Sequence, residues 1–412
     1  MITSKIMKKI TVAALLALAM TLAGAAAPPA NTPPVKAVKT RPAALHRAKP
    51  KKSVAVTRAA NAKKIIAAKK TAIVKNTVAV AKPAFASPVA PAGDAPKTYP
   101  LQTIAFPGGV TMTEMVYRSL PGFRPLTLDL YQTSEKSFPR PGLVFVHGGN
   151  WNSGDARHNG TVGDFPGLLA SLAAQGYVVA SVNYRLSGEA RFPAALQDVK
   201  SAISWLRGHG DEFNLDQTRI AIWGAAAGGH LAALAGVSCG VAALEPVTDP
   251  KDKPASDCVQ AVIDWYGITD FESLASDLGN PVPDKSVEGD FLGCEPALCG
   301  AGVARNASPL AYIEAMSPPF LIQQGDADTT VSPKQSRALY DGLRAKGVPA
   351  ELVIYPGVGQ GFARVTNGGT GVPDPATYKA AVDKLERFLA ANFPKKPAAS
   401  PYAPPKRRGL PY

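Results

Sequence analysis

From about Tyr99 to Phe393 the chain alternates between two periods of apolar residues. Short apolar runs bounded by glycine or proline read as strands: VYRSL, LTLDLYQ, GLVFVHGG, VVASVNYR, RIAIWG, VQAVIDWYG, PFLIQQG and AELVIYPG. Stretches at helical spacing lie between them. In FPAALQDVKSAISWLRGHG, Ala195, Val199, Ile203 and Leu206 fall on one helical face. PGLLASLAAQG stops at Gly176, and GGHLAALAGVS follows RIAIWG directly. SPKQSRALYDGLRAKG and ATYKAAVDKLERFLAANF separate and follow the last two strands. This alternation predicts one α/β domain over 99–394, with a mostly parallel central sheet and helices on both faces. Residues 277–309 lack clear periodicity. They are expected to form an excursion over the site, a lid or substrate loop.

The flanks have a different composition. Lys5, Lys8 and Lys9 precede an apolar run, Ile10 to Leu22, and Ala25–Ala27 offers small residues for cleavage. Residues 1–27 therefore predict a secretory signal peptide, with an uncleaved anchor as the alternative. After cleavage no further membrane span is expected. The expected location is secreted or periplasmic. Residues 28–98 hold fifteen Lys plus Arg and the single acid Asp94, so this arm carries +14. The tail, 395–412, is also basic. The body, 99–394, holds 22 basic and 30 acidic residues and carries −8. The net charge of +14 thus belongs to the arms, which removes the charge argument for a nucleic-acid-binding domain. A Pro/Ala/Lys arm is expected to be a solvated linker. Docking of 28–98 on an anionic envelope polymer is the sharper alternative.

Cys239, Cys258, Cys294 and Cys299 make an even count, which fits two disulfides in an exported protein. Four cysteines allow three pairings, and proximity favours Cys239–Cys258 with Cys294–Cys299. No CxxC pair or nearby histidine supports a metal site.

In open α/β sheets, sites form at the carboxyl ends of strands. Four such ends carry unusual residues. HGGNW, His147 to Trp151, has consecutive glycines whose backbone N–H groups can face an oxyanion. GAAAGG, Gly224 to Gly229, has the small residues that a sharp strand-to-helix turn needs. QGDADTTV offers Asp326 and Asp328, either of which could cap the helix that follows. PGVGQGF is a glycine-lined loop with Gln360 at its centre.

Together these stretches resemble the α/β-hydrolase fold. Within it, HGGNW, NYRLSGEARFPAALQDVKSAISWLR, WGAAAGGHLAALAG, DWYGITDF, GDADTTVSPKQS and YPGVGQGF resemble the secreted esterases related to hormone-sensitive lipase. The nearest resemblance is to the bifunctional acetylxylan/feruloyl esterase-like group. It implies an oxyanion hole from the N–H groups of Gly148, Gly149 and Ala227, and Asp328 as the acid that orients a catalytic histidine. It implies no cofactor and no metal. Its ligands would be small-molecule or polysaccharide-linked acetyl or feruloyl esters, with Asn150 and Trp151 beside the pocket; packing at the loop root is the other role open to Trp151.

The chain departs from that pattern at two decisive positions. Ala226 stands where the resemblance expects the nucleophilic serine, and Gln360 where it expects the histidine. Gln324 replaces a histidine that often precedes GxxD, a change expected to be structural and minor. Alanine has no nucleophilic atom, and glutamine cannot take up a proton and return it. No histidine follows Asp328; the five are His46, His147, His158, His209 and His230. Ser153 and Ser332 lie near strand ends but not at an elbow. The expectation is a secreted carboxylic-ester hydrolase scaffold without Ser-His-Asp turnover. The alternatives are a hydrolase of nonstandard mechanism and an envelope-binding protein acting through its arm. The intact surroundings favour a recent or deliberate inactivation over an old one.

Overall fold

The computed structural model describes residues 102–394, except 137, 160–163, 247–254, 280–284, 297, 300–301 and 367–370. The predicted signal peptide (1–27), basic linker (28–98) and tail (395–412) lie outside the described residues, as do parts of the 277–309 excursion.

Nine strands form one sheet: β1 (Thr103–Phe106), β2 (Val110–Arg118), β3 (Leu126–Thr133), β4 (Arg140–Val146), β5 (Val178–Val182), β6 (Leu215–Ala225), β7 (Ala261–Trp265), β8 (Phe320–Gly325) and β9 (Ala350–Tyr355). Their order is β1-β2-β3-β5-β4-β6-β7-β8-β9. The first three strands join antiparallel, and β3 pairs antiparallel with β5. Every pairing from β5 through β9 is parallel. The parallel part brings the carboxyl ends of β4, β6, β7, β8 and β9 to one edge of the sheet. A short hairpin, β10 (Ala363–Val365) with β11 (Gly371–Pro373), follows β9.

Successive residues along a strand point to opposite faces, and the core splits accordingly. Val144 and Val146 of β4 join Ile220 and Ile222 of β6 on one face. They pack with α2 (Ala194–Gly208), α4 (Ala227–Val237) and α8 (Pro333–Ala345). Leu143 and Phe145 join Ala221 and Trp223 on the other face, against α1 (Phe165–Ala174) and α9 (Pro375–Asn392). Both faces are covered, which explains why these strands read as unbroken apolar runs. In α2 the four residues at helical spacing are all buried. A short turn of helix, α3 (Gly210–Phe213), leads from α2 into β6.

The excursion holds short helices α5 (Leu274–Leu278), α6 (Val287–Leu292) and α7 (Val303–Ala307). It is rooted in the main core by Phe291, Ala304 and Ala307. The disulfides are Cys239–Cys258, beyond the end of α4, and Cys294–Cys299, inside the excursion. Lys200 is fully buried on α2, donating to Ser238 O at 2.8 Å and Glu245 Oε1 at 2.6 Å, and so ties that helix to the segment spanned by the first disulfide.

Candidate active site

Ala226 joins β6 to α4. Its φ of 53° and ψ of −119° lie outside the regions an L-residue ordinarily occupies. Two hydrogen bonds hold it there. Its N–H donates to Trp265 O at the end of β7, and its carbonyl accepts from the His230 N–H, both at 2.9 Å. The flanking glycines are required by space. A Cβ on Gly224 would overlap the Gly228 carbonyl, and one on Gly228 would overlap the Val146 carbonyl. The elbow is thus wedged against the end of β4.

That contact brings the HGG loop to the elbow. A Cβ on Gly148 would lie 2.9 Å from Ala225 O and 3.5 Å from the Ala226 Cβ. Gly149 takes a φ of +99° that favours glycine. Among the described residues, the N–H groups of Gly148, Gly149 and Ala227 have no acceptor. Ala227 also opens α4, where unpaired N–H groups and the helix dipole favour a negative oxygen.

Asp328 follows β8 and is 5% exposed. Its Oδ1 accepts from the N–H groups of Thr330 at 2.8 Å and Val331 at 3.0 Å. Its Oδ2 accepts from Gln324 Nε2 at 2.9 Å. Burial pushes its pKa up to about 6 despite these donors. Gln360 opens the turn Gln360–Phe362, and its amide abuts the carboxylate. A carboxylate only accepts, so the amide is assigned with its NH2 toward Asp328, donating to Oδ2 and, at 3.3 Å, to Oδ1. The two loops are stitched together by Ala327 N–H to Val358 O and Gly357 N–H to Asp326 Oδ1. Asp326 therefore braces the neighbouring loop. Ser332 caps α8, accepting from the Lys334 N–H.

Gln324 is structural, as expected: fully buried, it also donates to Val331 O at 3.1 Å and accepts from Ser336 Oγ at 2.8 Å, so it holds the Asp328 carboxylate in place. Trp151 takes the packing role at the loop root that was open to it. It is 2% exposed, donates Nε1–H to His230 Nδ1 at 3.1 Å, and stacks on Phe291 at 4.6 Å. Asn150 is exposed with a φ of 55°. The loop instead gives Asn152 to a cavity of about 440 Å³, together with Ser187, Glu189, Arg191 and Asp290.

No histidine substitutes at the acid among the described residues. His147 is buried and stacks on Tyr184, with burial lowering its pKa to about 4. His230 donates Nε2–H to Ala307 O. His158 pairs with Asp155, and His209 stacks on Trp205. Ser153 Oγ donates to Gly149 O.

One residue escaped the sequence reading. Tyr266, just past β7, has a φ of 45° and is 5% exposed. Its N–H donates to Gln323 O, and its ring meets Phe362 edge-on at 5.0 Å. Burial chiefly, and the Asp328 charge in part, push its phenol up. The available signal was a polar aromatic at the carboxyl end of a strand, in DWYG. Among the described residues no cluster of His, Cys, Asp or Glu could hold a metal ion.

The comparisons with known proteins agree with this architecture. The BD-FAE family model matches residues 128–343. The chain is 35% identical over 243 residues to the esterase LipC of Mycobacterium tuberculosis, covering 57% of this chain and 56% of that protein. It thus spans about half the length of the curated relatives it matches. The native Est2 esterase of Thermogutta terrifontis aligns with a TM-score of 0.55 at 26% identity, covering 71% of this chain and 96% of that one. A bifunctional GH43-CE protein of Bacteroides eggerthii aligns with a TM-score of 0.53 at 28% identity, covering 70% and 36%. The chain belongs to the BD-FAE family, with the α/β-hydrolase fold of the hormone-sensitive-lipase-related esterases.

Proposed function

We propose that the chain is an ester-site scaffold that binds acyl ligands without turning them over by Ser-His-Asp chemistry. The observation that carries this is Gln360 hydrogen-bonded to Asp328, with Ala226 at the elbow. Acyl transfer needs a nucleophile, a base to take its proton, and an acid to orient the base. Among the described residues the site offers only the acid, Asp328, and the free N–H groups of Gly148, Gly149 and Ala227 as the oxyanion donors. The names of the relatives support carboxylic esters as the ligand class from which this site derives. Acetyl or feruloyl esters, free or on a polysaccharide, and export of the chain belong to the same proposal. The two disulfides support export. Among the described residues no helix is long and apolar enough to cross a membrane.

The test is hydrolysis of 4-nitrophenyl acetate and methyl ferulate by the chain and by the Ala226→Ser/Gln360→His double variant. The double variant is expected to turn over, with the unchanged chain slower by about 10⁶-fold. Turnover by the unchanged chain at about 1 s⁻¹ or faster would overturn the proposal.

A further inference from the structure

Two consecutive carbonyls just past β4 are held by one pair of buried side chains. Tyr184, two residues beyond β5, donates its hydroxyl to His147 O at 3.0 Å. The His147 ring takes the next carbonyl, with Nδ1 at 2.7 Å from Gly148 O. A carbonyl only accepts, so the proton is assigned to Nδ1. The Tyr184 hydroxyl also lies 3.4 Å from Gly148 O, and the two rings stack at 4.2 Å.

Both peptides are trans, and in a trans peptide the C=O of one residue points opposite to the N–H of the next. Holding His147 O therefore sets the direction of the Gly148 N–H, and holding Gly148 O sets that of the Gly149 N–H. Each N–H is turned away from the group that anchors its carbonyl, and among the described residues neither meets an acceptor. The glycines alone would not hold this arrangement, because glycine passes between backbone conformations at little steric cost. The anchor is itself braced. Tyr184 O accepts from Arg124 Nη2 at 3.2 Å, and Asn183 O accepts from the Tyr117 hydroxyl at 2.9 Å. Arg185, on the other side of Tyr184, pairs with the buried Asp198 at 2.7 Å.

We propose that Tyr184 is a positioning residue of the acyl site: its hydroxyl, with the His147 ring, orients the Gly148 and Gly149 N–H groups as the donors that receive an acyl oxygen. What the donors receive rests on the ligand-binding reading above; their orientation rests on the hydrogen bonds alone. Tyr184 acts through the backbone, and no bond is made or broken.

The experiment follows the amide signals of isotope-labelled glycine in the full chain and in Tyr184→Phe and His147→Phe. Each variant keeps a ring in the stack and releases one carbonyl. Tyr184→Phe is expected to shift or broaden the Gly148 amide, and His147→Phe the Gly149 amide, with Gly142 on β4 unmoved. In the Ala226→Ser/Gln360→His background, Tyr184→Phe is expected to lower kcat on 4-nitrophenyl acetate about tenfold or more, with KM within about twofold, because oxyanion donors act on the transition state. Gly148 and Gly149 amides that stay in place overturn the proposal, as does an unchanged kcat. Amides displaced throughout the glycines would mark Tyr184 as packing and overturn it too. A double variant without turnover counts against the ligand-binding reading, and the amide pattern still decides the orientation. If Tyr184→Phe fails to fold, the Gly149 amide in His147→Phe decides.

Discussion

Gln324 donates to Asp328 Oδ2 at 2.9 Å from the end of the same strand, and both residues are buried. The contact makes Gln324 the inner support of the acid, with Gln360 on its outer side. Gln324→Leu would strip a donor from Asp328 and Val331 O and leave Ser336 Oγ without its acceptor. Buried polar groups left unpaired cost about 1–3 kcal/mol each, so a loss of about 2–3 kcal/mol in urea unfolding is expected. In the Ala226→Ser/Gln360→His background the same change should lower kcat more than it raises KM, because it displaces the acid without touching the ligand. Unchanged kcat in that background would show that Gln324 is only a packing residue.

The elbow stores strain that the present chain does not use. Ala226 holds a φ of 53° that glycine adopts freely. Ala226→Gly should therefore stabilise the fold by about 1 kcal/mol, less the entropy glycine adds to the unfolded chain. Thermal and urea unfolding would read this directly. A destabilised glycine variant would mean that contacts of the Ala226 methyl group outweigh the backbone strain.

Most of the architecture was legible in the pattern of apolar residues. The strands from β4 to β9 are buried on both faces or flanked by glycine, and α2 shows a clear helical stripe, so local periodicity carried their positions. The elbow and the HGG loop were legible because close backbone approach demands glycine, and Gly224 and Gly228 leave no room for a Cβ. The roles of Gln324, Trp151 and Tyr266 were not. Each depends on a partner brought to it by the fold: Ser336 for Gln324, His230 and Phe291 for Trp151, Phe362 for Tyr266. Such pairings are set by the crossing of elements, and the local pattern does not encode them.

Asp264 gives the fold a pH dependence that can be isolated. It is fully buried on β7, accepts from the Gly267 N–H at 2.9 Å, and among the described residues leaves Oδ2 without a partner. Burial pushes its pKa up to about 7 from an ordinary 3.8. Between those values the folded state keeps a proton that the unfolded state has released, so this group lowers stability as pH rises. His147 and His230 act in the opposite sense. Burial lowers both to about 4, so the unfolded state binds the extra protons below 6.5 and stability rises with pH there. Asp264→Asn removes only the first contribution. The variant should gain on the parent between pH 4 and pH 7 by up to about 1.4 kcal/mol per pH unit. Parallel stability curves for the two proteins over that range would show that Asp264 ionises at its ordinary pKa.

Trp151 provides the test of packing against recognition. His230 donates Nε2–H to Ala307 O, which leaves Nδ1 as the acceptor for the Trp151 indole N–H. The lowered pKa of His230 fits a neutral ring held in that tautomer. Trp151→Phe keeps an aromatic ring facing Phe291 and Phe271 and removes the N–H, so Nδ1 becomes a buried acceptor without a donor. The expected loss is about 1–3 kcal/mol of stability, with affinity for methyl ferulate unchanged in titrations run below the onset of unfolding. A variant that keeps its stability and loses ligand affinity would return Trp151 to the pocket.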